Sequence, residues 1–330
     1  MPVSRRHILA LPALLPSVAH SQAPAAAERL AGFPERTVRY IVPFTPAGLT
    51  DIMARLVAQR LGEGWGRPVV VENRAGGNAL IGADAAAKSP PDGHTLLAIT
   101  LTHAVNVSLF PNAPYDLMRD FRPVSVLGSL PLVICVNPAN PARTLADLMA
   151  QARTRVLNGG SSGNGSPPHL GLELFRRVSG GAGNITHVPY RGGAPSVTDL
   201  VAGNLDMLVS NLPECLAQLQ GGRLRGLAVT GATRHRLTPD IPTVAEAGAP
   251  DLQMTNWTAM LTNAAVPMPI FNEISRATQI AARDADLRRR AEEGGFDMLA
   301  WNPDRSLGFV TQEVARWDRL VREAGIRADG

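Results

Sequence analysis

The sequence predicts an α/β protein of two domains, the second inserted into the first. Three observations lead there. Short apolar runs alternate with helical patterns along most of the chain, as in sheets covered by helices on both faces. The 330 residues, 45% hydrophobic and 18% charged, suffice for two separate cores. An outgoing crossing at Val136-Asn137-Pro138 and a return near 230–234 divide the chain into 28–136 with 233–330, and 137–232.

The elements follow in order. Apolar, β-branched runs predict strands at 38–44, 69–71, 95–101, 132–136, 155–158, 185–188, 205–209 and 224–229. Helical spacing predicts helices at 51–61, 145–152, 170–178 and 197–201. Pro213 opens a further helix that carries Cys215. Beyond Pro267 the pattern turns mostly helical, through 270–282 and 304–323. Arg288 to Arg290, followed by Glu292 and Glu293, has the charge pattern of a solvated helix face.

The first residues have the order of an export signal. Ser4-Arg5-Arg6-His7 precedes an apolar run from Ile8 to Ala19 and then small residues to Ala27, so 1–27 is expected to be removed on export to the periplasm. The run is too short to span a bilayer. The adjacent arginines fit a twin-arginine route and equally a general secretory signal. The basic balance does not indicate a polyanionic partner: the formal charge is +4, and loss of Arg5 and Arg6 leaves +2. No basic–aromatic interleaving marks a nucleic-acid groove. The two cysteines, Cys135 and Cys215, are too few for a disulfide framework and are expected as separate buried thiols. The seven histidines show no metal-ligand spacing, so neither metal nor cofactor is expected.

Chemistry is concentrated where strands open into helices. In VPFTPAGLTDIMARL (42–56) a strand breaks into a loop of proline, glycine and threonine before a helix starts. Two readings fit: a plain tight turn, or a helix start whose unpartnered N–H groups receive an anion. The pattern recurs in NGGSSGNGSPPHLGLELF (158–175), where Ser166 is placed as N-cap and Pro167 as first helical residue, and again in PYRGGAPSVTDL (189–200). Three such loops at strand ends favour the anion reading, because ligands of open α/β sheets gather there.

Other chemistry is weaker. Gly159-Gly160-Ser161-Ser162-Gly163 matches the hydrolase elbow G-x-S-x-G, but that elbow needs its helix to begin at the serine, and here the loop runs on to Pro167. The pattern G-x-G-x-x-G fails after Gly163 and Gly165. His103 fits either a cleft position or a structural one. His169 fits an anion neighbour or a surface site. Arg191 fits a partner for a second carboxylate or an exposed edge. Trp257, Met207 and Cys215 are read as packing.

Together YIVPFTPAGLTDIMARLVAQRL, VVVENRAGGNALIGADAAAKSPPDGHTLL, PYDLMRDFRPV, GSSGNGSPPHLGLELF, HVPYRGGAPSVTDLVAGNLDM, GRLRGLAVTGATR and PDIPTVAEAG, in this order, resemble the Bug family of periplasmic solute-binding proteins, the receptors of tripartite tricarboxylate transporters. The resemblance implies a two-lobed periplasmic-binding-protein fold (type II-like), each lobe a mixed sheet flanked by helices, with the ligand cleft between them. It implies a non-enzymatic receptor, expected as a monomer. Such a receptor closes on a small carboxylate and hands it to membrane permease subunits, or docks on a sensor kinase instead. Carried over by motif, the ligand contacts are Phe44, Thr45, Ala47, Gly48, Thr102, Ser161, Asn164, Ser166 and Gly193, with Asp51 bracing the first loop. The family usually has Pro-Gly-Gly where this chain has Pro46-Ala47-Gly48, and a methyl group there reshapes the loop or narrows the ligand range.

Overall fold

The computed structural model describes residues 30, 32–46, 48–181 and 184–326. The export signal expected over 1–27 and the substituted residue Ala47 lie outside the described residues.

The first lobe opens with β1 (Val38–Val42), α1 (Leu49–Trp65), β2 (Val69–Asn73), α2 (Leu80–Ala87), β3 (Thr95–Thr100), α3 (Leu101–Leu109) and α4 (Leu117–Asp120). The long strand β4 (Phe121–Val136) leads out of it. Then come α5 (Leu145–Thr154), β5 (Leu157–Ser161), α6 (Pro167–Ser179), β6 (Ile185–Pro189), α7 (Gly193–Ala202), β7 (Met207–Asn211), α8 (Leu212–Gln220) and β8 (Arg225–Val229). The return brings β9 (Thr255–Asn263), α9 (Met268–Ala281), α10 (Ala285–Glu293), β10 (Asp297–Met298) and α11 (Pro303–Ala324).

Strand order is β2-β1-β3-β9-β4-β7-β5-β6, with β8 and β10 also paired to β4. Each half is mixed. The strands β1, β2 and β3 run parallel, as do β5, β6 and β7, while every pairing made by β4 and β9 is antiparallel. The changeover lies inside β4: up to Pro131 it pairs with β9, and from Leu132 it pairs with β7 and β8. Parallel strands leave their helix-bearing carboxyl ends together, so the loops after β1, β3, β5, β6 and β7 are brought toward one region.

Local chemistry accounts for the elements. On α1, Met53, Val57 and Leu61 repeat at four-residue spacing and are fully buried, each stabilising the fold by about 1.5–3 kcal/mol relative to exposure. The helix ends at Gly66, which turns left-handed (φ 66°) so that its N–H reaches the Gly62 carbonyl at 2.9 Å. The hydroxyl of Ser166 caps α6 as the sequence predicts, with Pro167 first in the helix. Helix α11 is tied to β9 through Glu313, which is buried and accepts both the Trp257 indole N–H (2.8 Å) and that of Trp317 (3.0 Å). Trp257 is thus a core residue. One face of the first sheet packs Val38, Val42, Met53, Val57 and Ile274. The opposite core runs on from Ile99, Val105 and Trp317 into Leu157, Leu170 and Phe175 of the second lobe. Cys135 and Cys215 are free, fully buried thiols with their sulfurs 4.0 Å apart.

Three sequence expectations shift. The strand expected at 132–136 begins eleven residues earlier, at Phe121. Pro123 stands at a register shift, where β4 does not need its missing N–H. The strand expected at 95–101 stops at Thr100, whose side chain caps α3. Finally, β9 is a strand that the sequence does not predict, because TNWTAMLTN mixes polar residues into a strand buried over most of its length.

Candidate functional site

Six helix starts gather around one cavity of about 1100 Å³. Its wall includes Phe44, Thr45, Gly48 and Thr50 at the start of α1, Ala79 before α2, and Thr100 and Thr102 at α3. From the second lobe come Asn164, Gly165 and Ser166 at α6, Gly192 and Gly193 at α7, and Asn211 and Glu214 at α8. Each helix start carries unpaired N–H groups and the positive end of a helix dipole. The starts of α1 and α7 have no side-chain cap, so their first amides are not satisfied by a capping residue. Convergent uncapped helix starts form an anion receptacle made of backbone.

The loops are built for close approach. Gly192 has φ 109°, Gly163 φ 125° and Gly165 φ 69°, all in the region that favours glycine. At Gly165 an added Cβ would also meet the Asn78 amide nitrogen at 2.8 Å, so the two lobes touch here, loop against loop. Asn78 is held in place by a reciprocal pair: it donates to the Asn106 side chain (2.9 Å), and Asn106 donates back to the Asn78 carbonyl (2.7 Å). Residues Gly76, Gly77, Asn78 and Ala79 all have positive φ, and the two that are not glycine carry backbone strain on the cavity wall.

Of the residues singled out in the sequence, Phe44, Thr45, Gly48, Thr102, Asn164, Ser166 and Gly193 line the cavity. Two stand behind the wall. Asp51 is 2% exposed; its carboxylate accepts from Asn73 Nδ2 (2.8 Å) and Arg55 (2.8 and 3.0 Å), and Asn73 also donates to the Phe44 carbonyl (3.1 Å). Ser161 is fully buried, with its Oγ 2.6 Å from His187 Nε2 and accepting the Gly163 N–H at 3.1 Å. This is a serine–histidine pair of the sort a hydrolase needs, but the serine is closed off from the cavity. The His187 ring stacks on His169 at 4.0 Å, and His169 Nδ1 accepts the Gly165 N–H (3.0 Å). His169 is therefore buried behind the second loop, not at the surface. Burial raises the pKa of its neighbour Glu173, but contacts from His169 and Arg176 outweigh that and hold the carboxyl below its usual range.

His103 takes the structural position. It is fully buried, its Nδ1 accepts the Thr100 N–H (3.1 Å), and it meets the Phe44 ring edge-to-face at 5.9 Å. Burial lowers its pKa to about 3, and the Thr100 bond opposes this only in part. Arg191 lines the cavity and is exposed. The sequence reading passed over Asn78, Asn211, Glu214 and Asn256. The dipeptide Gly76-Gly77 before Asn78 is a turn signal that marks the loop. Glu214 has no such mark, because an acidic residue in a helix's first turn is ordinary.

The profile of the tripartite tricarboxylate transporter family receptor (TctC) matches residues 53–326. Protein BugT of Bordetella pertussis is 38% identical over 300 residues, 89% of this chain and 91% of its own. A solved structure of a periplasmic transporter superposes with a TM-score of 0.81 at 34% identity, covering 90% of this chain and all of that one. R. palustris Rpa4515, solved with adipate, superposes with a TM-score of 0.79 at 35% identity, covering 89% of this chain and 99% of its own. These neighbours are two-lobed periplasmic binding proteins, and the α/β architecture described above is theirs. By profile, identity and fold, the chain is a member of the Bug/TctC family of periplasmic solute-binding receptors.

Proposed function

We propose that the protein is an extracytoplasmic receptor that captures a small organic carboxylate by lobe closure and delivers it to the membrane permease subunits of a tripartite tricarboxylate-type transporter. The convergence of uncapped helix starts from both lobes on one cavity carries this reading. A carboxylate there is held by backbone N–H groups and hydroxyls that neither lobe supplies alone, so binding favours the closed form. Phe44, Thr45, Gly48, Thr102, Asn164, Ser166 and Gly193 are the contacts, and Ala47 belongs to the same loop. Asp51 and Ser161 act through the loops they brace. The lobes are the two portions expected from the sequence, 28–136 with 233–330 and 137–232, except that residues 132–136 of β4 pair with β7 and β8 and so belong to the second lobe's sheet. The adipate held by Rpa4515 supports a carboxylate as ligand class. Among the described residues no helix is long and apolar enough to cross a membrane, which suits a receptor that meets its permease by docking.

The test is a thermal-melt screen of the protein without residues 1–27, stripped of ligand by refolding, against mono- and dicarboxylates, amino acids and aromatic acids. A ligand at about 100 times its dissociation constant stabilises by roughly 2.7 kcal/mol, a shift of several degrees. One compound class moving the melt is the expected outcome. A panel that leaves it unmoved would overturn the receptor reading.

A further inference from the structure

Glu214 is an acid on the wall of a cavity built for an acid. It stands in the first turn of α8, lines the cavity, and takes part in no salt bridge among the described residues. Its carboxylate accepts the Ser210 hydroxyl at 2.7 Å and Asn211 Nδ2 at 3.1 Å. Asn211 in turn accepts from Asn256 Nδ2 at 3.1 Å, so a chain of amides leads from the first lobe's β9 and ends on Glu214. The acid also lies against the start of α7, where a Cβ on Gly193 would fall 2.1 Å from Glu214 Oε2. Any larger residue there would push the carboxylate from this position.

Every one of these neighbours is a hydrogen-bond donor or the positive end of a helix, an arrangement that holds a carboxylate rather than a carboxylic acid. The Asn211 backbone N–H is a further donor to it, and the carboxylate still keeps an unused lone pair, which no cation among the described residues takes. A dicarboxylate would bring like charge against this wall. A ligand hydroxyl would satisfy the lone pair and leave the charge unbalanced. An ammonium group does both.

Resting on the receptor reading above, we propose that Glu214 determines specificity by receiving the ammonium of the solute, so that the ligand is an aminocarboxylate whose carboxylate lies at the helix starts. Burial outweighs the bonds from Ser210 and Asn211 and holds the Glu214 carboxyl above its usual range. An ammonium at contact distance removes much of that penalty by favouring the ionised form.

The experiment compares the wild-type protein with Glu214→Gln and Glu214→Ser, each first shown to melt cooperatively without ligand. Probes are the common amino acids, unbranched ω-amino acids of three to six carbons, and dicarboxylates of the same lengths. The wild type is expected to bind an amino compound at least about tenfold more tightly than the dicarboxylate of equal length. Both variants are expected to lose that preference, with binding of the dicarboxylate unchanged or tighter. Two results overturn the assignment and leave the receptor reading standing: a wild type that prefers the dicarboxylate, or variants that keep the amino compound's advantage. If no carboxylate of any kind stabilises the wild type or the variants, the receptor reading falls and this inference with it.

Discussion

Replacing Asp51 by alanine tests whether the first loop is shaped from behind. Three of its described interactions disappear. The Asn73 amide loses an acceptor at 2.8 Å in a half-buried site, at about 1–2 kcal/mol. The Arg55 pair (2.8 Å) counts for less, because the arginine side chain is 53% exposed and turns to water, so it is worth about 0.5 kcal/mol. The first turn of α1 also loses its acid, worth roughly 0.5 kcal/mol. Together the cost is about 2–3 kcal/mol, which for a chain of this size lowers the melting temperature by roughly 5 °C.

The functional effect comes through Asn73. Its amide nitrogen bridges Asp51 and the Phe44 carbonyl (3.1 Å), so without the carboxylate the amide loses one of its anchors, keeping the Phe44 bond and the one its Oδ1 accepts from Arg55 (3.1 Å), and the loop before α1 loosens. A tenfold loss in ligand affinity, about 1.4 kcal/mol, is expected. Thermal melts of wild type, Asp51→Ala and Arg55→Ala, with and without ligand, separate the contributions. Arg55→Ala, which also removes the exposed bond to Asn73 Oδ1 (3.1 Å), should cost under about 1 kcal/mol and weaken binding less than Asp51→Ala does. An Asp51→Ala melt within about 1 °C of wild type, or an Arg55→Ala variant equally damaged, would refute the bracing argument.

Three further outcomes follow from named contacts. Because the folded protein holds His103 neutral with its pKa lowered from 6.5 to about 3, the unfolded chain takes up the proton first, and stability present above pH 6.5 is lost as the pH falls toward 3. At pH 5 this amounts to about 2 kcal/mol in chemical denaturation, and His103→Asn, which keeps an acceptor near the Nδ1 position, should lose that much less; an unchanged pH dependence would count against it. Gly193→Ala puts a methyl group 2.1 Å from Glu214 Oε2 and drives the acid off Ser210 and Asn211, at about 1–3 kcal/mol. Combining it with Glu214→Ser should recover part of that loss in a double-mutant cycle, whereas simple additivity would separate the two sites. Thr230→Val leaves the Leu132 N–H, now 2.9 Å from the Thr230 hydroxyl, buried without an acceptor, at about 1–3 kcal/mol, while Thr230→Ser stays near wild type; equal urea midpoints for the two would show the hydroxyl to be idle.

The fold was legible where strand and helix patterns alternate. Strands β1, β2 and β6 and helices α1, α5, α6, α9 and α11 lie where apolar periodicity places them, give or take a few residues. It was illegible where a signal had a second meaning. Pro123 and Pro131 are residues that ordinarily interrupt a strand, and in β4 they occupy positions where the strand shifts register or changes partners. LTHAVNVSL has the β-branched content of a strand and becomes α3 because Thr100 and His103 form a capping box at its start. The cavity loops were legible through their glycines and prolines. Glu214 was not, since its significance depends on Gly193 and Asn256, which meet it only in three dimensions. Ser161 points the other way: the motif around it is conspicuous in sequence, and the folded chain turns its hydroxyl onto His187 behind the loop.

Pro131 has no N–H to lose, and it stands where β4 gives up β9 and takes up β7 and β8. Beside it Thr230 receives the Leu132 N–H on its hydroxyl and donates its own N–H to the Leu132 carbonyl, and Met254 donates to Thr230. Outgoing and returning chains are thus fastened at the same level, where the strand pairing passes from one sheet half to the other. Asn256 pairs with Leu130 just before the changeover, and Asn211 pairs with Leu132 just after it. The amide chain that ends on Glu214 therefore straddles the changeover. A charge delivered to Glu214 acts on bonds that join the two sheet halves where β4 changes partners, which links recognition of the solute to the contact between the lobes.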